Sequence, residues 1–452
     1  MARFGQYQQK MEHTYSRADK SSVSALDPPG VLKKLALQAG VHFNGDAPWD
    51  IQVHSQDVYQ RILSHGSLGF GESYMDGLWD CLRLDQLFHR LLSINTDEKL
   101  VGGVRLQLML QILRQRLFNL QSSKRAFQVG EQHYDIGNDV FEAMLDPTMS
   151  YSCGYWHHAE DLEQAQINKL DMICRKLELK PGEKLLEIGC GWGGLARYAA
   201  ESYGVDVVGI TISREQQKLA SKRCAGLSVD IKLIDYRDLN GEFDKIVSVG
   251  MFEHVGVKNY PIYFDTVNRL LKNSGLFLLH TIGLYKTMQR VDPWIDKYIF
   301  RNGKLPSAEQ ISRVLDQRLI IEDWHNFGHD YYLTLMAWWE NFDAAWPEIS
   351  SQYDERFYRM WKYYLLSCAG FFKARQGQLW QIVLSKRSRP HIYRVVCCWC
   401  TCDYIGKRAN GANYITCYCC WHLSFSYRLK LTMRFYYICE INHNFKQKTE
   451  NQ

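Results

Sequence analysis

The sequence predicts an α/β protein, with a doubly wound, Rossmann-like sheet preceded by a smaller, mostly helical N-terminal domain. Three observations carry this reading. The stretch Glu183-Lys-Leu-Leu-Glu-Ile-Gly-Cys-Gly-Trp-Gly-Gly194 pairs a short apolar run, 185–188, with a cluster of glycines, and a helix over 195–202 follows. Beyond it, strands over 205–212, 230–234, 245–249 and 276–280 alternate with helices over 215–225 and 260–272, the alternation that builds a parallel sheet. Runs at 319–324 and 380–385 fit two further strands at the sheet's far edge, and no repeat of 20 to 50 residues competes with this reading.

Taken in order, residues 1–25 are polar and read as frayed, or as helical without a core. Asp27-Pro28-Pro29-Gly30 opens a folded region, 26–115, with helices over 31–38 and 56–64. The glycine-punctuated run from Gly66 to Gly77 reads as a loop. Leu106, Leu110, Leu113, Leu117 and Leu120 recur at helical steps, with Arg105, Arg114 and Arg116 off the stripe. That pattern suits a packing helix between domains or subunits, and a basic amphipathic helix on anionic lipid is the alternative. A linker over 116–130 leads into the α/β domain, 131–387. Residues 388–452 then form a tail rich in cysteine and aromatic residues.

The glycine turn sits where a strand hands over to a helix N-terminus, which makes a nucleotide site at the carboxyl end of a parallel sheet. Gly189, Gly191 and Gly194 also fit the dinucleotide fingerprint, so other residues must decide the cofactor. Glu187 ends the first strand where methyltransferases keep a carboxylate near the cationic methionine end of S-adenosylmethionine. The second strand ends in Thr211-Ile212-Ser213, without the acid that a nicotinamide enzyme uses for the ribose. Both features favour S-adenosylmethionine.

The 54 basic and 49 acidic residues give a net charge of +5, but the excess is local. From Arg387 onward there are ten Lys or Arg against three Asp or Glu, and the preceding body carries −2. No nucleic-acid footprint follows. Six cysteines (Cys81, Cys153, Cys174, Cys190, Cys224 and Cys368) are scattered through the body, as in a reduced cytoplasmic enzyme. No apolar run reaches the length of a membrane span, and the N-terminus lacks a signal-peptide core.

Polar residues gather where the strand ends converge. Glu253 and His254 follow one strand, His280 and Thr281 end the next, Tyr151-Ser152-Cys153 precedes the sheet, and Tyr331 and Tyr332 come after it. Taken singly, Cys153 is equally a small buried hydrophobe and His280 a satisfied core histidine. Aromatic residues surround the same segments, either as core or as walls whose ring faces attract positive charge.

The motifs Tyr151-Ser-Cys-Gly-Tyr-Trp156, Leu186-Glu-Ile-Gly-Cys-Gly-Trp-Gly-Gly194, Met251-Phe-Glu-His-Val-Gly256 and Leu279-His-Thr-Ile-Gly283 resemble those of the bacterial cyclopropane-fatty-acyl-phospholipid synthases. So do Gly71-Glu-Ser-Tyr-Met-Asp-Gly77, His133-Tyr-Asp-Ile-Gly-Asn-Asp139, Val291-Asp-Pro-Trp-Ile295 and Glu322-Asp-Trp-His-Asn-Phe-Gly328. The resemblance spans about residues 30–386. It implies a class I methyltransferase sheet and methylene transfer from S-adenosylmethionine to the cis double bond of an acyl chain in an intact phospholipid. It also implies a bound bicarbonate as base, caged by Cys153, Glu253, His280, the backbone of Ile282, and Tyr331. Cofactor contacts carry over to Tyr151, Ser152, Glu187, Gly189, Gly191, Gly193, Thr211, Ile212, Gln216, Tyr236 and Arg237, with Gln216 on the ribose hydroxyls. By the same resemblance the N-terminal domain helps bind lipid, and the enzyme is a homodimer at the inner face of the cytoplasmic membrane.

The tail departs from that family. Cys397-Cys-Trp-Cys-Thr-Cys402 and Cys417-Tyr-Cys-Cys420 are too crowded for the usual zinc-ligand spacing, so no metal site is expected. A frame change near the end of the coding sequence, giving a tail without a selected fold, accounts for this composition. Two other readings of the whole chain stand beside ring formation: another methyltransferase on the same scaffold, and a lipid-binding protein without catalysis.

Overall fold

The computed structural model describes residues 27–94, 137–288 and 291–394, together with the backbone of Ile405–Lys407 and Asn413–Ile415. The leucine stripe at 106–120 and the linker at 116–130 lie outside the described residues. Contacts divide the chain into Met1–Tyr393 and Arg394–Gln452.

Apolar residues at helical spacing form the N-terminal helices α1 (Gly30–Gln38), α2 (Asp57–His65), α3 (Ser67–Met75) and α4 (Leu84–Ser93), with a two-residue ribbon of β1 (Gln52–Val53) antiparallel to β2 (Trp79–Asp80). The expected loop at 66–77 is largely helix α3. Its glycines serve close packing rather than chain reversal. A Cβ on Gly69 would lie 2.0 Å from the Arg61 carbonyl oxygen, and one on Gly71 would lie 2.4 Å from the Trp294 ring. Only Gly66, at φ +59°, breaks the chain between α2 and α3.

The large sheet comprises β3 (Lys184–Ile188), β4 (Asp206–Thr211), β5 (Val229–Leu233), β6 (Phe243–Val249), β7 (Leu271–Leu284), β8 (Ile320–Asn326) and β9 (Gly377–Ser385), in the order β5-β4-β3-β6-β7-β9-β8. Strands β3 to β7 are mutually parallel, and β9 runs antiparallel to both β7 and β8. The order reverses between β3 and β6, which is the switch point where open sheets hold ligands. Alternate residues face opposite cores. Leu185, Val207, Val247 and Leu278 pack with α6 (Leu162–Lys176) and α7 (Gly194–Tyr203). Leu186, Ile210, Ile246 and Leu279 pack on the other face with α9 (Tyr260–Leu270). Helices α5 (Asn138–Met144) and α8 (Arg214–Arg223) complete this half, and each large apolar side chain buried here contributes about 1.5–3 kcal/mol.

After β7 come α10 (Pro293–Tyr298), α11 (Ala308–Leu315) and two long helices that the sequence reading did not assign, α12 (His329–Ile349) and α13 (Glu355–Lys373). A third core joins them to the N-terminal helices: Tyr74, Trp79, Leu84 and Leu87 pack in one cluster with Trp338, Trp361, Tyr363 and Leu365. The 388–393 segment belongs with the folded body. Arg389 reaches Glu178 at 2.8 Å, and Tyr393 is buried among residues of α6 and the sheet. In the second unit, β10 (Ile405–Lys407) pairs antiparallel with β11 (Asn413–Ile415).

Candidate active site

The turn after β3 is built from backbone that side chains rarely allow. Gly189, Gly191 and Gly193 have φ of +83°, +52° and +82°. A Cβ on Gly189 would come within 2.8 Å of Met251. The amides of Gly189 and Cys190 both donate to the Ile210 carbonyl, at 2.9 and 3.0 Å, which pins the turn to the end of β4. The cleft above it is lined by Tyr151, Ser152, Glu187, Gly189, Gly191, Thr211, Ile212, Gln216, Tyr236 and Arg237, among others. Gly193 is absent from that lining and instead packs under α8, where a Cβ would meet Cys224 Sγ at 3.0 Å.

Thr211 Oγ1 donates to Gln216 Oε1 at 2.9 Å, and the Ser213 hydroxyl caps α8 by accepting from the Gln216 amide. Arg237 is held by Asp235, with its Nε and Nη2 donating to the two carboxylate oxygens at 2.8 and 2.5 Å. Asp235, Lys169 and Arg301 also line the cleft, and the sequence reading passed over all three. For Asp235 the signal was present, as an acid directly after a strand and two residues before Arg237. Glu187 is 3 % exposed with Oε2 unpartnered. Burial pushes its carboxyl up, and the Lys169 ammonium opposes that shift.

A second cluster forms beside the ends of β6 and β7. Glu253 lies in a short turn after β6 and accepts from the Ile282 amide at 2.7 Å through Oε1, so this amide is already engaged; Oε2 is buried without a partner. Burial raises its pKa to about 7. His280 is 1 % exposed, and burial holds its ring well below the ordinary value, so it is neutral. Its Nδ1 meets Gln381 Nε2 at 3.3 Å, and Nε2 has no partner. The buried Cys153 thiol is pushed up by burial, stays protonated and donates to the Gly154 carbonyl at 3.1 Å. Tyr331, at the start of α12, stacks on Phe372 with ring centroids 4.4 Å apart, and burial raises its phenol well above the ordinary value.

Residues 151–153 connect the two sites, because Tyr151 and Ser152 line the cleft while Cys153 belongs to the cluster. The aromatic residues divide as the sequence could not divide them. Trp294, Trp338, Tyr260, Tyr263 and Phe252 are core, whereas Tyr151 and Tyr236 line the cleft.

A mostly parallel sheet in this strand order, with a glycine turn at its switch point, defines a class I S-adenosylmethionine-dependent methyltransferase. Residues 121–382 match the family model of mycolic acid cyclopropane synthetase, and the chain belongs to that family. It is 58% identical over 356 residues to the cyclopropane-fatty-acyl-phospholipid synthase of Escherichia coli K12, covering 79% of this chain and 93% of that protein. Among solved structures, the cyclopropane synthase MmaA2 from Mycobacterium tuberculosis superposes with a TM-score of 0.55 at 32% identity, covering 57% of this chain and 98% of that one. The mycolic acid cyclopropane synthase CmaA1 complexed with SAH and CTAB gives 0.54 at 32% identity over the same shares.

Proposed function

We propose that this chain transfers a methylene group from S-adenosylmethionine to the cis double bond of unsaturated acyl chains in membrane phospholipids, forming cyclopropane rings. The observation that carries the reading is the junction of two sites: a glycine-turn cleft, and beside it a buried cluster in which His280 Nε2 and Glu253 Oε2 have no partner among the described residues. Unpartnered buried polar atoms are costly, and a bound group would satisfy them. The cleft suits S-adenosylmethionine: Gln216, fixed by Thr211, faces it for the ribose, and Glu187 for the ligand's ammonium. When bound, this cofactor supplies a sulfonium methyl that an alkene can attack, leaving a carbocation on the acyl chain.

The cluster suits bicarbonate, which would supply the base that takes a proton from the new methyl group so that the ring closes. Neutral His280 donates from Nε2, Tyr331 donates its phenol hydroxyl, and ionised Glu253 accepts the bicarbonate hydroxyl at Oε2. Protonated Cys153 brings no charge to repel the anion. Burial of the cluster excludes water, which would otherwise capture a carbocation. The same reading assigns lipid binding to the N-terminal domain and makes the enzyme a homodimer at the inner face of the cytoplasmic membrane. No helix of the described residues is long and apolar enough to cross a membrane, which is compatible with peripheral attachment.

The test is mass spectrometry of phospholipid acyl chains after incubating unsaturated vesicles with the protein, S-adenosylmethionine and bicarbonate. The expected result is gain of one methylene with loss of the double bond. A methyl branch with no ring would point to another methyltransferase activity, and no gain with intact cofactor binding would point to lipid binding alone.

A further inference from the structure

Helix α6 sends two buried polar side chains to the segment that carries Ser152. Gln166 Nε2 donates to the Ser152 carbonyl at 2.8 Å and to that of Ser150 at 3.3 Å. Lys169, 2 % exposed, donates from Nζ to Ser152 Oγ at 3.0 Å and lines the cleft together with Glu187. An ammonium has three N–H donors, and Ser152 takes one of them. The neighbouring charged or ionisable groups are Asp146, Cys153 and Glu187, with His280 also within electrostatic reach. Asp146 is spent on the amides of Thr148 and Ser150 and on the Thr148 hydroxyl. Cys153 is a protonated thiol engaged with Gly154, and His280 is neutral. Of the two carboxyl groups that act on Lys169, Asp146 and Glu187, only Glu187 has an oxygen, Oε2, without a partner.

A buried ammonium and a buried carboxyl group with open valences stabilise a fold poorly by themselves. They do complement a ligand that carries both a carboxylate and an ammonium on one carbon. We infer that Lys169 binds the α-carboxylate at the amino-acid end of the cofactor, with Ser152 holding its ammonium in place and Glu187 taking the ligand's α-ammonium. This inference rests on the cleft being the S-adenosylmethionine site. Lys169 thereby orients the cofactor from the side opposite in charge to Glu187, and ties that orientation to the segment ending in Cys153.

The experiment is a calorimetric titration of the full chain and of Lys169→Met with three ligands: S-adenosylhomocysteine, its decarboxylated analogue, and 5′-methylthioadenosine, which lacks the amino-acid end. The unsubstituted chain should bind the decarboxylated analogue about 10- to 100-fold more weakly than S-adenosylhomocysteine, the loss of one charge-assisted hydrogen-bonding group. Lys169→Met should weaken S-adenosylhomocysteine by a similar factor and no longer distinguish it from the decarboxylated analogue. Its affinity for 5′-methylthioadenosine should stay unchanged, which also reports that the variant is folded. Lys169→Met that discriminates like the unsubstituted chain, or that weakens all three ligands equally, would overturn the inference and leave the cofactor reading standing. If the unsubstituted chain bound none of the three, the cofactor reading would fall and the inference with it.

Discussion

Glu253 shows how a single buried carboxyl can be tuned for its task. Burial lifts it to about 7, while the Ile282 amide favours the ionised form. The proposed role needs the ionised carboxylate, so kcat/KM at saturating bicarbonate should climb as pH rises through about 7 and level off above it. A profile flat from about pH 6 to pH 8 would sink that role. The stability sign is the opposite. The folded-state pKa exceeds the unfolded one, so this group's contribution is present at low pH and is lost as pH rises through about 7. Glu253→Gln should therefore lose turnover by roughly 10²–10⁴-fold while keeping its affinity for S-adenosylhomocysteine. Its thermal midpoint at pH 8 should be no lower than that of the unsubstituted chain, and a lowered midpoint would mark the residue as structural. At this scale the site was partly legible. Glycines after a strand and polar residues at strand ends are local signals, and Tyr151, Glu187, Thr211 and Gln216 do face one cleft. The Lys169–Ser152 bond and the Arg237–Asp235 pair were not read, because each depends on how side chains meet in the folded chain.

Between elements, Arg359 of α13 joins the N-terminal helices to the rest of the body. Its Nε donates to the Tyr74 carbonyl at 2.6 Å, and its Nη2 to the Trp79 carbonyl at 2.9 Å and to Asp80 at 2.8 Å. The guanidinium also lies 4.1 Å from the Tyr74 ring centroid. Burial alone would raise the Asp80 carboxyl, but Arg359 and His54 outweigh it and hold the pKa below its usual value. Arg359→Met should cost about 2–4 kcal/mol in urea unfolding at pH 7, since it removes three hydrogen bonds and one of the two partners of a half-buried carboxylate. The deficit should shrink as pH falls through the depressed Asp80 pKa, where protonation removes the lost partner's charge. A difference under about 0.5 kcal/mol at pH 7 would show that Arg359 contributes little to seating the helices. Strands and crossover helices were legible as alternating runs. Helix α3 was not, because glycines that admit Arg61 and Trp294 look like loop glycines in a sequence. Helices α12 and α13 bury much of their circumference in aromatic residues, so the one-sided stripe that marks a helix is missing.

Across the whole molecule, the sheet's extent follows from alternation, and both far-edge strands are where the sequence put them. The end of the folded body does not follow from composition, because basic residues and loss of family motifs begin near 387 while contacts continue to Tyr393. Ser388 meets Asn273 at 3.2 Å, Arg389 meets Glu178, and Tyr393 is 7 % exposed in the core shared with α6. Two truncations separate the readings. Ending the chain after Arg394 preserves all these contacts, whereas ending it after Arg387 removes a buried aromatic ring and an ion pair. The shorter form should be less stable than the longer by about 2–5 kcal/mol in urea unfolding, the usual cost of deleting a large core side chain. Both forms should bind S-adenosylhomocysteine alike under native conditions, since none of the deleted residues lines the cleft. Equal stability of the two would place the end of the folded body at 387 after all, with the 388–393 segment lying on the surface without contributing to the core.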